Sequence, residues 1–398
     1  MKKRIIEGSV RMVVFAACAV AGALLPRTAA ASEDANAFYP FAKRESLKIL
    51  MIGNSFSDSV VHSSTPMGGI TRALGKKVFF VSLFKPGCSI TTHYKNREKV
   101  DTYEVHIPAA QKPDWPKNGQ SLATLLQVEK WDLITIHEYS GSSYKNWSEW
   151  AAYSNLVTFV HEKAPNAKIY LQQTWSMDRF SGGLSDENKL PSFEKRDAQY
   201  ELIAAQYKKA VAKFDKTLPG VVCGVIPTGY AVQLYRYRRP VTTFASGKLL
   251  MNPSDSKHLA KHGHAMQSLV WTKRIFGTLP PIDKLPGIFK KEVGGEEAAT
   301  FLWNCANDAV GPDKDVFNYG KGTVDFSFDV TFKKADGTDI EKQRVRFGAK
   351  PKAPAGNEGA TWRPSMTLPS RFKATTDALS SSAVAETPVF DDVVYTHQ

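Results

Sequence analysis

"ILMIGNSFSD", residues 49–58, breaks an apolar run with Gly53, Asn54 and Ser55. A strand buried on both faces gains nothing from ending on that triplet, so its meaning lies with the residues after Ser55. "SFSD" offers Ser57 or Asp58 as a helix N-cap, and the positive end of that helix would face Ser55. The stretch thus reads as strand, tight turn and helix start, with a serine hydroxyl at the rim of a sheet. Taken alone, it serves equally well as a turn-and-cap device without chemistry.

From Leu47 to about Gly277, strand-like and helix-like stretches alternate. The strand candidates are 48–53, 77–84, 132–138, 168–175 and 220–227, all nearly continuous apolar runs of the kind covered on both faces. Helical spacing is clearest over 148–164 and 193–214, where Tyr200, Ile203, Ala204, Tyr207 and Ala210 recur on one face. This alternation predicts an α/β sandwich with a mainly parallel sheet, whose ligands bind beyond the carboxyl ends of the strands. Ser55 falls at such an end.

The composition changes after the proline-rich connector 279–287. "TVDFSFDVTF" (323–332) alternates Val324, Phe326, Phe328, Val330 and Phe332 with polar neighbours, the pattern of a half-buried antiparallel strand. A turn at 335–339 and a return strand at 341–347 follow, and 388–396 could close a small sheet. Residues 288–398 are therefore expected to form a smaller β-rich C-terminal domain.

At the other end, Lys2, Lys3, Arg4 and Arg11 precede a 14-residue apolar run, "MVVFAACAVAGALL", and Ala29–Ala31 follow. This is the pattern of a secretory signal peptide over 1–31, with a short linker over 32–46; a spanning helix needs about 20 apolar residues. The expectation is export, periplasmic or extracellular, without stable membrane insertion after cleavage. Removing 1–31 takes away five Lys/Arg and one Glu, so the formal charge falls from +13 to about +9. The excess is scattered in groups such as "YRYRR" (235–239), too short for a nucleic-acid module, so no nucleic-acid partner is expected. Cys88, Cys223 and Cys305 remain, which allows one disulfide at most and no disulfide framework. The sequence leaves the oligomeric state open.

A serine becomes a nucleophile when a base takes its proton, and a carboxylate holds that base. "NPSDSKHLAKHGHAM" (252–266) places Asp255 three residues before His258, just ahead of a helical pattern. On a short loop this spacing lets the carboxylate meet one imidazole nitrogen while the other faces outward. It is also the spacing of a helix-capping Asp followed by an incidental His.

In combination, "GNSFSD" after the first strand and "DSKHL" before the last helix resemble the SGNH, or GDSL-like, hydrolase superfamily. More closely, they resemble a branch of secreted bacterial hydrolases with a GNSFS block. The stretches 85–96, 131–141, 166–175 and 258–271 fit that branch, and the resemblance spans 47–278 without reaching the C-terminal region. It implies a three-layer sandwich in which Ser55 is the nucleophile, His258 the general base and Asp255 its orienting partner. The N–H groups of Ser55 and Gly87 would stabilise the oxyanion; a glycine there also suits a simple turn after Pro86.

One block departs from the family. The superfamily places an Asn after the third strand as an oxyanion donor, and the closer branch tends to show Gln. Here the residues are His137 and Glu138. His137 is a candidate donor or a core residue, whereas an ionised Glu138 would repel an oxyanion.

Asn54, Glu138, Trp175 and Tyr230 lie at strand ends and are candidate substrate contacts. For Trp175 and Tyr230 the alternatives are stacking on sugar rings and core packing. His258, His262 and His264 have the H-x3-H-x-H spacing of a metal-binding helix face, but no acidic partner accompanies them, so no metal site is assigned. Asn146-Trp147-Ser148 has the glycosylation pattern by chance in a bacterial export product. The resemblance implies a serine esterase that needs no cofactor and removes acyl groups, acetyl above all, from a carbohydrate. The competing expectation is a non-catalytic carbohydrate-binding or surface protein that keeps the fold.

Overall fold

The first strand, β1 (Ser46–Gly53), is buried from Ile49 to Gly53, and its side chains alternate between two cores. Ile49 and Met51 join one cluster, Leu50 and Ile52 the other. That two-sided burial is why the sequence reads as a continuous apolar run rather than an alternation. A computed structural model describes residues 37–62, 67–108, 119–144, 150–177, 193–238, 250–251, 257–321, 327–346, 350–365, 379–385 and 393–398. The expected leader (1–31) and Asn146 lie outside the described residues.

Around β1 lie β2 (Lys77–Phe84), β3 (Glu104–His106), β4 (Leu133–His137), β5 (Lys168–Gln172) and β6 (Val222–Ile226). The sheet order is β3-β2-β1-β4-β5-β6, parallel throughout except for β3, which pairs antiparallel with β2. The mainly parallel sheet is as expected. β3 has three residues, too few to show a period in the sequence. The strand expected over 168–175 ends at Gln172, which leaves Trp175 in the loop beyond it.

The helices are α1 (Ser55–His62), α2 (Met67–Ala73), α3 (Ile90–Lys95), α4 (Leu122–Leu125), α5 (Trp150–Lys163), α6 (Phe193–Thr217), α7 (Thr228–Arg238) and α8 (Lys261–Phe276). One face of the sheet packs on Phe56 and Val60 of α1 and on Met266, Leu269 and Val270 of α8. The other packs on Leu156 and Val160 of α5 and on Ile203 and Tyr207 of α6. Helices on both faces of a mostly parallel sheet make a three-layer α/β sandwich.

The residues after the connector correct one expectation. Gly287–Glu292 (α9) and Glu296–Ala309 (α10) are helices, and Phe289, Ala299, Leu302 and Ala306 enter the same core cluster as β1. The β-rich part therefore starts later than 288. Its signal was in the sequence: Ala298, Leu302, Cys305 and Ala309 recur at helical spacing behind Glu296 and Glu297 in the first turn.

Beyond them a second sheet forms from β7 (Ser327–Lys333), β8 (Asp339–Arg346), β9 (Thr361–Pro364), β10 (Leu379–Ser380) and β11 (Val393–His397), in the order β10-β9-β11-β7-β8. Gly337, at φ 87°, turns the β7–β8 hairpin. Val330, Phe332, Trp362 and Tyr395 form its buried face. Val324 and Phe326 lie outside the described residues. The closing strand β11 runs parallel to β7, a pairing that local pattern cannot reveal.

The outer edge of β6 is sealed by one side chain. Arg274 of α8 donates from Nε to the Val225 carbonyl (3.0 Å), from Nη2 to the Cys223 carbonyl (2.6 Å) and from Nη1 to Tyr170 Oη (2.9 Å) and the Phe38 carbonyl. Its guanidinium lies between the rings of Phe38 and Tyr170, 3.9 and 4.3 Å from their centroids. Gly224, at φ 111°, permits this approach, since a Cβ there would stand 3.0 Å from Nη2. Among the described residues none of Cys88, Cys223 and Cys305 is in a disulfide, and no helix is long and apolar enough to cross a membrane.

Candidate active site

At the carboxyl end of β1 the chain turns into α1 at once. Asn54 makes the turn, not Ser57 or Asp58 as expected: its carbonyl accepts from Ser57 N and Asp58 N (both 3.1 Å), and its Oδ1 accepts from Phe56 N (3.0 Å). Ser55 is thereby the first helical residue, with its N–H at the positive end of α1. Gly53 leaves room for the Ser57 side chain in this turn. A Cβ on it would lie 2.1 Å from Ser57 Oγ, 3.1 Å from Ser57 Cβ and 3.3 Å from His137 Cβ.

Ser55 Oγ lies 2.7 Å from His258 Nε2, although 203 residues separate the two in sequence. The imidazole is held from several sides. Phe56 meets it edge-on (5.2 Å, 80°) and stacks on Trp175 (4.4 Å, 12°). Trp175 Nε1 donates to the Lys257 carbonyl (2.8 Å), next to His258. The loop bearing His258 is clamped where Met251 bridges Leu259 and Ala260 N donates to the Leu250 carbonyl (2.9 Å). Asp255 belongs to this loop and lies outside the described residues.

Pro86 and Gly87 occupy the centre of a turn closed by Cys88 N and the Lys85 carbonyl (3.2 Å). Gly87 has φ 60°, so the turn itself calls for glycine. Its N–H and that of Ser55 find no acceptor among the described residues. The Tyr139 ring passes close by, 3.9 Å from where a Gly87 Cβ would be. This loop is tied to the turn before Ser55 by Asn54, whose Nδ2 donates to the Cys88 carbonyl (3.1 Å) and the Glu138 carbonyl (3.5 Å). The Glu138 carboxylate accepts from Ile90 N (3.2 Å) at the start of α3.

These contacts revise four expected substrate contacts. Asn54, Glu138, Trp175 and Tyr230 are buried, and their polar atoms engage the protein. Tyr230, for example, donates to the Asn318 carbonyl (2.9 Å). Asn54, Glu138 and Trp175 brace the loops around Ser55 and His258, whereas Tyr230 is a core residue. His137 is corrected as an oxyanion donor too. It points into the core beside Phe56 and Trp175, and among the described residues neither ring nitrogen has a hydrogen-bond partner.

Sequence reasoning missed Phe56, Tyr139 and Gln267. Gln267 of α8 donates from Nε2 to the Phe56 carbonyl (2.7 Å) and accepts from Ser59 Oγ (2.6 Å), joining the helix that follows His258 to the helix that starts at Ser55. A fully buried Gln among Met266, Ser268 and Leu269 was the available signal. No group of three His, Cys, Asp or Glu side chains among the described residues is placed to hold a metal.

Asn54→Ala removes the turn's side-chain cap and both ties to the neighbouring loops. The cap is worth about 1 kcal/mol and each neutral hydrogen bond about the same. The expected outcome is a melting temperature several degrees lower and a catalytic rate down about tenfold or more, read by thermal unfolding and ester hydrolysis.

Acid should weaken the fold through three histidines. Burial pushes the imidazoles of His93 and His137 down to about 3 and that of His264 to about 4. They stay neutral in the folded chain, whereas in the unfolded chain they take up protons below about pH 6.5. The resulting stability is complete above that pH and is lost as pH falls toward 4 and then 3, on the order of 2 kcal/mol per histidine by pH 5. Urea midpoints should accordingly be lower at pH 5 than at pH 7; equal midpoints would contradict this.

The sheet, its flanking layers and the serine–histidine pair at the strand ends define an SGNH-hydrolase-like α/β sandwich. The chain belongs to the family described as a domain of unknown function, DUF4886, whose model matches residues 48–279. It is similar to the crystal structure of a DUF4886 family protein from Bacteroides uniformis, with 23% identity and a TM-score of 0.50, covering 65% of this chain and 94% of that one. A protein from Slackia heliotrinireducens named for the SGNH hydrolases shares 16% identity at a TM-score of 0.35, covering 57% and 98%. A family 3 carbohydrate esterase of Clostridium thermocellum shares 11% at 0.33, covering 57% and 94%. No curated protein matches the sequence.

Proposed function

We propose that this chain is an exported serine esterase that removes acyl groups, acetyl above all, from a carbohydrate. The observation that carries the reading is the 2.7 Å contact between Ser55 Oγ and His258 Nε2 at the carboxyl end of a parallel sheet. A serine at hydrogen-bond distance from an imidazole can give up its proton as its oxygen attacks an ester carbonyl. His258 takes that proton and Asp255 orients its ring. The Ser55 and Gly87 N–H groups face the developing oxyanion. His258 then protonates the departing alcohol as the carbonyl–oxygen bond breaks, leaving an acyl-serine. Water attacks this ester with His258 again as base, releasing the carboxylic acid and restoring Ser55.

The test is hydrolysis of para-nitrophenyl acetate by the chain from residue 32 and by its Ser55→Ala variant. Turnover that vanishes in a folded variant supports the reading. Turnover that survives in the variant would overturn Ser55 as the nucleophile, and no turnover of any acetyl ester would favour the non-catalytic carbohydrate-binding alternative.

A further inference from the structure

A cavity of about 330 Å³ opens beside the proposed oxyanion loop. Its near wall is Phe84, Lys85 and Pro86, the residues that lead into Gly87. Lys85 N donates to the Gly53 carbonyl (3.4 Å), so this wall begins two residues from the nucleophile. The far wall is Asp101 to Glu104, on the approach to β3, with Gly119 completing it. The cavity therefore lies at the same end of the sheet as Ser55, over the strand next to β1.

Its chemistry is mixed. Lys85 donates from Nζ to the Thr102 carbonyl (3.4 Å), which brings an ammonium across the cavity's side. Asp101 and Glu104 supply two carboxylates, both on exposed residues. Phe84 and Pro86 supply apolar surface. Asp101 is held at φ 56°, a conformation that side-chain-bearing residues seldom adopt.

An aliphatic acyl chain does not fit such a site. Seating it there would take two carboxylates, of which Glu104 is held by His106 Nε2 (3.3 Å), and an ammonium out of water without replacing the hydrogen bonds that water gives them. A hydroxyl-bearing ring does fit: its O–H groups donate to the carboxylates, its oxygens accept from the ammonium, and its C–H face covers Phe84 and Pro86. The volume, at the low end for ligand sites, suits one ring rather than a long segment of polymer. We propose that the cavity walled by Lys85, Asp101 and Glu104 is the subsite for the alcohol half of the ester, a single polyhydroxylated sugar ring. This rests on the esterase reading and adds where, and by which groups, the sugar is recognised.

The test compares two acetate esters of like shape, methyl 6-O-acetyl-glucopyranoside and cyclohexylmethyl acetate, which lacks the hydroxyls. Para-nitrophenyl acetate serves as the check on the esterase reading itself. The expected result is a kcat/KM for the sugar ester at least about tenfold above that for the carbocycle, through KM, because hydrogen bonds to charged groups are worth that much. In the double variant Asp101→Asn, Glu104→Gln that ratio falls toward one. Both substitutions are isosteric and exposed, so the ratio is read on folded enzyme. A ratio near one in the unaltered chain, or one that the double variant retains, overturns the subsite while Ser55-dependent turnover of para-nitrophenyl acetate leaves the esterase standing. Absence of that turnover brings down both.

Discussion

Under the proposed mechanism, Ser55→Ala is expected to reduce ester hydrolysis by roughly 10⁴- to 10⁶-fold, the range found when a nucleophile is removed from a serine–histidine unit. The loss is confined to chemistry because Ser55 contributes little to the core. Ser55 is half-buried, and the turn that carries it is made by Asn54, Phe56 and Ser57. The melting temperature should therefore stay within about 1 °C, as for most surface substitutions. His258→Ala should cost about as much in rate, and the double variant little more than either alone, since the two act as a unit. Additive losses would mean that Ser55 and His258 act separately, which the mechanism forbids.

Gly263→Ala is expected to damage both the fold and the rate. Gly263 lies in α8 where the helix passes the clamp of the His258 loop. A Cβ at this position would stand 2.4 Å from the Leu250 carbonyl oxygen and 2.7 and 2.8 Å from two carbons of Leu259. The first neighbour is backbone, so a side-chain rotation cannot relieve it. Either α8 moves away from the sheet or the Met251–Leu259 bridge opens. Overpacking of this kind costs about 1–3 kcal/mol. In a domain of this size that lowers the melting temperature by roughly 2–4 °C per kcal/mol. The rate should fall further than the stability, by about tenfold or more, because the bridge holds Leu259, the neighbour of His258 in the loop before α8. Thermal unfolding together with kcat separates the two effects. A variant with unaltered kcat would show that the clamp does not position His258.

The parallel sheet was legible because β1, β2, β4 and β5 are largely buried on both faces and the edge strand β6, half-buried at its centre, is still an apolar run. Ser55, Gly87 and His258 were legible because they sit in short blocks with unusual residues at strand ends. What escaped was whatever depends on partners distant in sequence. Asn54, Glu138 and Trp175 resemble substrate contacts by position, yet each satisfies a backbone group on another loop. His137 resembles a donor until the register places it beside Gly53, under Phe56. The short β3 and the parallel pairing of β11 with β7 have no local signature. The helices α9 and α10 did have one, hidden by reading the proline-rich connector as a boundary.

Arg274 has a consequence for how copies of the protein behave together. A parallel sheet normally leaves a row of unmet carbonyls and N–H groups on its last strand, a template on which a foreign strand can grow. Here two of those carbonyls, on Cys223 and Val225, are already met by the guanidinium. At the opposite margin β3 offers three residues only, too short a rail to recruit a partner. At high concentration, neither margin of the sheet invites chain-to-chain extension.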